Sequence, residues 1–312
     1  MNYFFFVIPS KKKVIYKLMK KIPKIKKLIL SGGGIKGIAI ASALETLDDK
    51  IQLFSTVREI IGSSIGAYIA FFICIGVSLR KIRVIFENIR LDQFQEFDMK
   101  MFISKFGFDE GNKMMKFVKA IIQTQGVDPE ITFRQLKKVS KYRLIITASN
   151  ISRSAPKYFS AKETPDFSVL TALRISGGYP FAFTPIEIDG ELYSDGAIIS
   201  PIATNVITKK DRNRTLAILC SRPTSQNNIE SIYQYILNVI YCIVDSLTEQ
   251  LAKQLKHVVI IQSTVPSMKF NITEQECTLL EKTGEDSATE WLSNYQLSER
   301  YDSIASAVLG PS

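Results

Sequence analysis

Lys27-Leu28-Ile29-Leu30-Ser31-Gly32-Gly33-Gly34-Ile35-Lys36-Gly37 and Glu59-Ile60-Ile61-Gly62-Ser63-Ser64-Ile65-Gly66 decide how this chain folds. Each is a short apolar run that ends in a glycine turn and passes into a helical pattern. The 30 residues from Gly34 to Ser64 are about one strand–helix–strand unit. Such units pair their strands in parallel, which brings the two turns to the same end of a sheet. Strand-like runs at 142–147, 216–220 and 258–261 continue the alternation, with helical patterns near 36–48, 65–88, 111–123 and 229–256. The expected fold class is α/β, a three-layer α/β/α arrangement with a mainly parallel central sheet.

The two turns differ in chemistry. Three consecutive glycines let the backbone turn its N–H groups toward one point, and the following helix adds its positive end. An anion belongs there, either a dinucleotide pyrophosphate or the oxyanion of an acyl-transfer intermediate. The spacing Gly32-x-Gly34-x-x-Gly37 fits a dinucleotide fingerprint, but that fingerprint also needs an acidic residue ending the second strand. Here the second strand ends in Gly62-x-Ser64-x-Gly66, a G-x-S-x-G elbow between strand and helix.

A serine nucleophile needs a base. The single histidine, His257, borders a strand with no turn chemistry around it, and reads as structural. Asp195, in Leu192-Tyr193-Ser194-Asp195-Gly196-Ala197, is the better candidate. In that polar turn its carboxylate is expected to be exposed at a sheet edge and ionised at its ordinary pKa, able to accept a serine proton directly. The competing reading of Asp195-Gly196 is a plain hairpin turn.

Composition narrows the classes. The chain has 312 residues, 46% of them apolar, which suffices for a large core. Four dispersed cysteines and one histidine offer neither a disulfide framework nor a zinc site. The net charge of +10 resides in ten lysines of the first 36 residues, leaving the body neutral. Nucleic-acid binding is not expected, since no recognition motif accompanies those lysines. Val14, Ile15, Leu18, Met19 and Ile22 set against Lys13, Lys17, Lys20, Lys21 and Lys24 make a basic amphipathic helix, suited either to an anionic membrane or to packing on the body. The Tyr3–Ile8 run is too short for a secretion signal, so the expected location is cytoplasmic and peripherally membrane-associated. Residues 60–79 are uncharged and long enough to span a bilayer, but their glycines and serines favour strand, turn and buried helix.

With Ala172–Pro185 as a fourth block, these motifs in this order resemble the patatin-like phospholipases over roughly residues 26–200. The resemblance implies lipid acyl hydrolysis by a Ser–Asp dyad without catalytic histidine, metal, calcium or organic cofactor. It implies Ser64 as nucleophile, Asp195 as base and the N–H groups of Gly33 and Gly34 as oxyanion hole. Gly32, Lys36, Gly37, Gly62, Gly66 and Gly196 form the supporting motif. The chain departs at Ser31, where the family commonly has Asp, and at Lys36, where it commonly has Arg, so the loop is anchored differently. The organisation expected is a basic segment 1–25, a catalytic domain 26–264 and a helical tail 265–312. A Met- and Phe-rich insertion about 94–123 suits a lid over acyl chains. The substrate expected is a phospholipid or other acyl ester at an anionic membrane surface. The rival classes are a dinucleotide oxidoreductase, a silent membrane-binding module and a transacylase of the same fold.

Overall fold

The computed structural model describes residues 24–88, 99–222, 229–269 and 271–309. The lysine-rich segment through residue 23 and residues 94–98 of the insertion lie outside them. The strands are β1 (Lys27–Leu30), β2 (Glu59–Gly62), β3 (Gly107–Asp109), β4 (Arg143–Asn150), β5 (Ala155–Ser160), β6 (Phe181–Phe183), β7 (Ile186–Ile188), β8 (Glu191–Asp195), β9 (Thr215–Ser221) and β10 (His257–Gln262). The helices are α1 (Gly37–Ile51), α2 (Ile65–Cys74), α3 (Leu79–Asn88), α4 (Met99–Lys105), α5 (Asn112–Thr124), α6 (Phe133–Val139), α7 (Val169–Ser176), α8 (Ile232–Ala252) and α9 (Glu274–Leu309).

The main sheet runs β10-β9-β1-β2-β4-β8-β7, and β5 also pairs with β4. Its first five strands are mutually parallel, as the crossover helices require. β5, β7 and β8 are antiparallel additions. Ile146 on β4 faces Gly62 of β2 and Phe159 of β5, while Ala148 faces Asp195 of β8 and Lys157 of β5. β2 and β8 therefore occupy successive lengths of one edge of β4 and meet almost end to end. That arrangement positions the site.

β1 and β2 are buried almost throughout because helices cover both faces of the sheet. The uncharged stretch 60–79 resolves as β2, a turn and α2, whose ten residues are nearly all buried. Among the described residues no helix is long and apolar enough to cross a membrane. The helical pattern over 65–88 is two helices, because Gly76 at φ 88 turns the chain after α2. α9 lies against α1, where the Ser42 hydroxyl donates to the Glu281 carbonyl at 2.8 Å. Arg83 of α3 binds Glu45, Glu87 and Glu281, tying three helices together.

Candidate active site

The elbow forms because its two glycines stand where no side chain fits. A Cβ on Gly62 would overlap the backbone of Gly66 and Ala67, and one on Gly66 would overlap the Leu30 and Ser31 carbonyls. β2 can then turn sharply into α2 while the helix passes the end of β1. Ser64 caps α2 at φ 52, ψ −128, a conformation that costs a non-glycine residue roughly 1–3 kcal/mol. Its N–H donates to the Ser176 hydroxyl at 3.0 Å, and Ser63 N–H donates to the Leu30 carbonyl at 3.0 Å.

Asp195 ends β8, just ahead of Ser63 and Ser64 on the same edge of β4. The structure corrects the expectation of an exposed, ordinary carboxylate: Asp195 is 1% exposed. Its Oδ1 accepts from Ala197 N–H at 2.8 Å, while Oδ2 is buried without a formed hydrogen bond. Burial pushes its pKa up to about 7, against the Ser64 hydroxyl and the Ala197 N–H, which favour the charged form. The backbone is fixed by Asp195 N–H to the Gly178 carbonyl and by the Ser149 hydroxyl to the Asp195 carbonyl. Nor is Asp195-Gly196 a hairpin turn. Asp189-Gly190 is the hairpin, with φ 52 and 77 between β7 and β8.

The glycine loop closes the third side. A Cβ built on Gly32 would stand 3.1 Å from the Ser64 Cβ and 3.3 Å from the Ala197 Cβ. Gly34 takes φ 54 against the Ser267 backbone, which only glycine allows. The N–H groups of Gly32, Gly33 and Gly34 donate no hydrogen bond among the described residues. A cavity of about 170 Å³ holds Ser64, Asp195 and all three glycines on its wall.

The rest of the wall departs from the expectation for residues 94–123. Of the Met and Phe residues in the described part of that insertion, Met114 lines the cavity; Phe102 instead stacks on Phe108 at 4.3 Å, and Met99 and Phe106 face outward. α8 contributes Ile240, Tyr241 and Val244 to the apolar wall, and Ile65, Tyr68, Phe86, Phe183 and Ile198 come from elsewhere. His257 is remote. It is level with Leu28 and lies three strand spacings of about 4.8 Å from β2. Its Nε2 is 3.2 Å from the Asn213 carbonyl, and its ring packs against Trp291 and Tyr295. Among the described residues no three His, Cys, Asp or Glu side chains are grouped as a metal ion would need.

The family model for patatin-like phospholipases matches residues 28–206, the segment that carries the glycine loop, Ser64 and Asp195. The chain belongs to the patatin-like phospholipases. An uncharacterized protein, R571, of Acanthamoeba polyphaga mimivirus is 29% identical over 272 residues, 81% of this chain and 89% of that protein. A probable lipid hydrolase, 463L, of Invertebrate iridescent virus 6 is 27% identical over 233 residues, 70% of this chain and 78% of that protein. VipD from Legionella pneumophila shares the fold, with TM-score 0.66 at 16% identity over 88% of this chain and 67% of that chain.

This patatin-like phospholipase anchors its loop through the two residues that differ from the family pattern. The Ser31 hydroxyl donates to the Gly32 carbonyl at 2.8 Å and accepts from Cys220 N–H at 2.9 Å. Lys36 is 1% exposed, and its Nζ donates to the Ser221 and Ser263 carbonyls at 3.0 and 3.1 Å. An ammonium suits two carbonyls at the ends of β9 and β10 as a forked guanidinium would suit a carboxylate. Burial lowers its pKa. Arg174 of α7, also buried, binds the Glu110 and Thr184 carbonyls and joins the insertion to the strand β6 region.

Proposed function

We propose that this patatin-like phospholipase cleaves acyl esters of phospholipids through an acyl-enzyme on Ser64, with Asp195 as the only proton acceptor. The observation that carries the reading is that a strained Ser64 and a buried Asp195, whose Oδ2 has no hydrogen bond of its own, line one cavity. Ser64 Oγ attacks the ester carbonyl carbon as its proton passes to Asp195. The carbonyl oxygen becomes an oxyanion, held by the N–H groups of Gly33 and Gly34. The intermediate collapses, the ester C–O bond breaks, and Asp195 returns the proton to the departing alcohol. Water then attacks the acyl carbon while Asp195 takes its proton, and collapse frees the fatty acid and returns the proton to Ser64. A base near pKa 7 is matched to such work at neutral pH. The lysines of residues 11–26 supply attraction to anionic lipid, each adding about 1 kcal/mol near the surface, whereas Lys27 and Lys36 are engaged within the body.

The test is fatty-acid release from mixed anionic vesicles by wild type, Ser64→Ala, Asp195→Ala and His257→Ala. Wild type and His257→Ala are expected to release fatty acid, and the other two are not. Loss of activity in a folded His257→Ala protein would overturn the dyad in favour of a triad.

A further inference from the structure

The helix that walls the cavity has a second apolar face turned to solvent. On α8, Ile232, Tyr235, Val239 and Ile243 are 74%, 55%, 43% and 61% exposed. Their spacing of three and four residues makes one stripe at about 100° per residue, and exposed Cys242 and Ser246 fall on it. Leu237, Ile240, Tyr241 and Val244 occupy the opposite face, toward the cavity and the sheet. Between residues 232 and 252 the only charges are Asp245 and Glu249. Asp245 is engaged on the body side, accepting from Arg222 Nε and Nη2 at 2.9 and 2.8 Å, with Arg222 stacked over Tyr241. Glu249 pairs with Lys253 beyond the stripe.

We infer that the outer face of α8 is the surface by which this protein meets a lipid bilayer, with the stripe Ile232–Ile243 entering the headgroup boundary. The inference rests on the lipid-hydrolase reading and names where the substrate enters. A charge-free apolar stripe has nothing to offer a polar partner, whereas it matches the acyl boundary of a membrane, into which amphipathic helices sink by about 5–10 Å. The chain's net charge of +10 is complementary to an anionic surface and favours approach to it. Continuity is the decisive point. The same helix has one face on the cavity that holds Ser64, so a bilayer against the other face lies one helix thickness from the reacting carbonyl. The cavity, about 170 Å³, is smaller than the roughly 300 Å³ or more of sites that enclose a drug-sized ligand. An acyl chain drawn from the bilayer needs α8 to shift, and one contact such a shift must break is that of Arg222 with Asp245 and Tyr241.

Cys242 lies on the stripe and is exposed, whereas Cys74 is buried and Cys220 is half-buried on the cavity wall, and burial raises both thiols to about 12 and about 11, far from the reactive thiolate at neutral pH. A polarity-sensitive thiol dye on Cys242 of the full chain, with Cys277→Ser to remove the remaining accessible thiol, reads the environment of the stripe directly. On adding phosphatidylcholine–phosphatidylglycerol vesicles its emission is expected to move to the blue. Ile232→Gln with Ile243→Gln is expected to weaken vesicle binding at least about ten-fold, since burying either side chain is worth more than one factor of ten. Hydrolysis of a short, water-soluble ester by that variant is expected to stay at the wild-type rate. Vesicle binding with an unshifted dye would overturn the proposal, as would a shift that appears with rising protein concentration and no lipid, the mark of a second copy on this face. A wild-type protein that shifts the dye yet cleaves no ester would leave the docking face standing and refute the catalytic reading instead.

Discussion

In the proposed reaction, the surroundings of Asp195 set the pH range. Burial lifts its carboxyl from 3.8 to about 7, so it is protonated and unable to accept Ser64's proton below that value. kcat/KM is expected to rise with pH through an acid limb centred near 7, and a profile flat across that region would exclude Asp195 as the base. The same shift bears on stability. The folded pKa lies above the unfolded one, so ionising Asp195 costs nothing below 3.8, and the cost grows until about pH 7. Asp195→Asn is therefore expected to abolish turnover yet melt at a higher temperature than wild type above pH 7. That gap in Tm should close in acid. Lys36 makes the opposite case, because its buried ammonium satisfies two carbonyls. Lys36→Met keeps the stem and orphans both acceptors, at about 1–3 kcal/mol each. A lower Tm and a lower kcat are expected together, read by thermal melts and steady-state kinetics.

The elements carry the elbow. β2, α2 and the end of β1 approach so closely at Gly66 that a methyl group would strike backbone, which cannot move aside as a side chain can. Gly66→Ala is expected to destabilise by roughly 1–3 kcal/mol or more, measured by denaturant unfolding. α7 contributes a subtler support through Ser176, whose hydroxyl accepts from the Ser64 N–H and is fully buried. Ser176 stands inside the block Ala172–Pro185, whose resemblance was visible in the sequence although no pattern assigned this hydroxyl a task. Ser176→Ala is expected to lower kcat more than it raises KM, because it loosens the nucleophile's backbone and touches no substrate. Equal losses in both constants would show instead that the hydroxyl contributes to binding. α8 was read from the sequence only as a helical pattern near 229–256. Its role as a wall of the cavity had no local signal.

At the scale of the whole molecule, the sheet separates chemistry from support. The proposed catalytic groups gather where β1, β2 and β8 end, while His257 sits lower down and at the far side of the sheet. Its surroundings are Asn213, Trp291 and Tyr295, so it ties β10 to α9. Burial holds its pKa below 6.5, chiefly against charging. The stability this contributes is present above 6.5 and is lost as pH falls. His257→Ala is expected to lower Tm and alter Trp291 fluorescence while leaving activity per folded molecule intact.

The reading of residues 27–37 and 59–66 as two strand–turn–helix units needed no tertiary information, because glycine placement and apolar runs are local constraints on the backbone. That Ser64, Gly33 and Gly34 would stand at one end of the sheet followed for the same reason, and so did the parallel sheet, since crossover helices allow little else. The antiparallel strands β5, β7 and β8 were not, because their short half-buried runs carry no period that distinguishes them from loop. Asp195 could be chosen from the sequence, but its burial could not. That depends on β8 meeting β2 along one edge of β4, a register between segments more than a hundred residues apart. Long-range pairing of this kind decides which groups lose water, and desolvation is what lifts an ordinary aspartate to a pKa near neutrality.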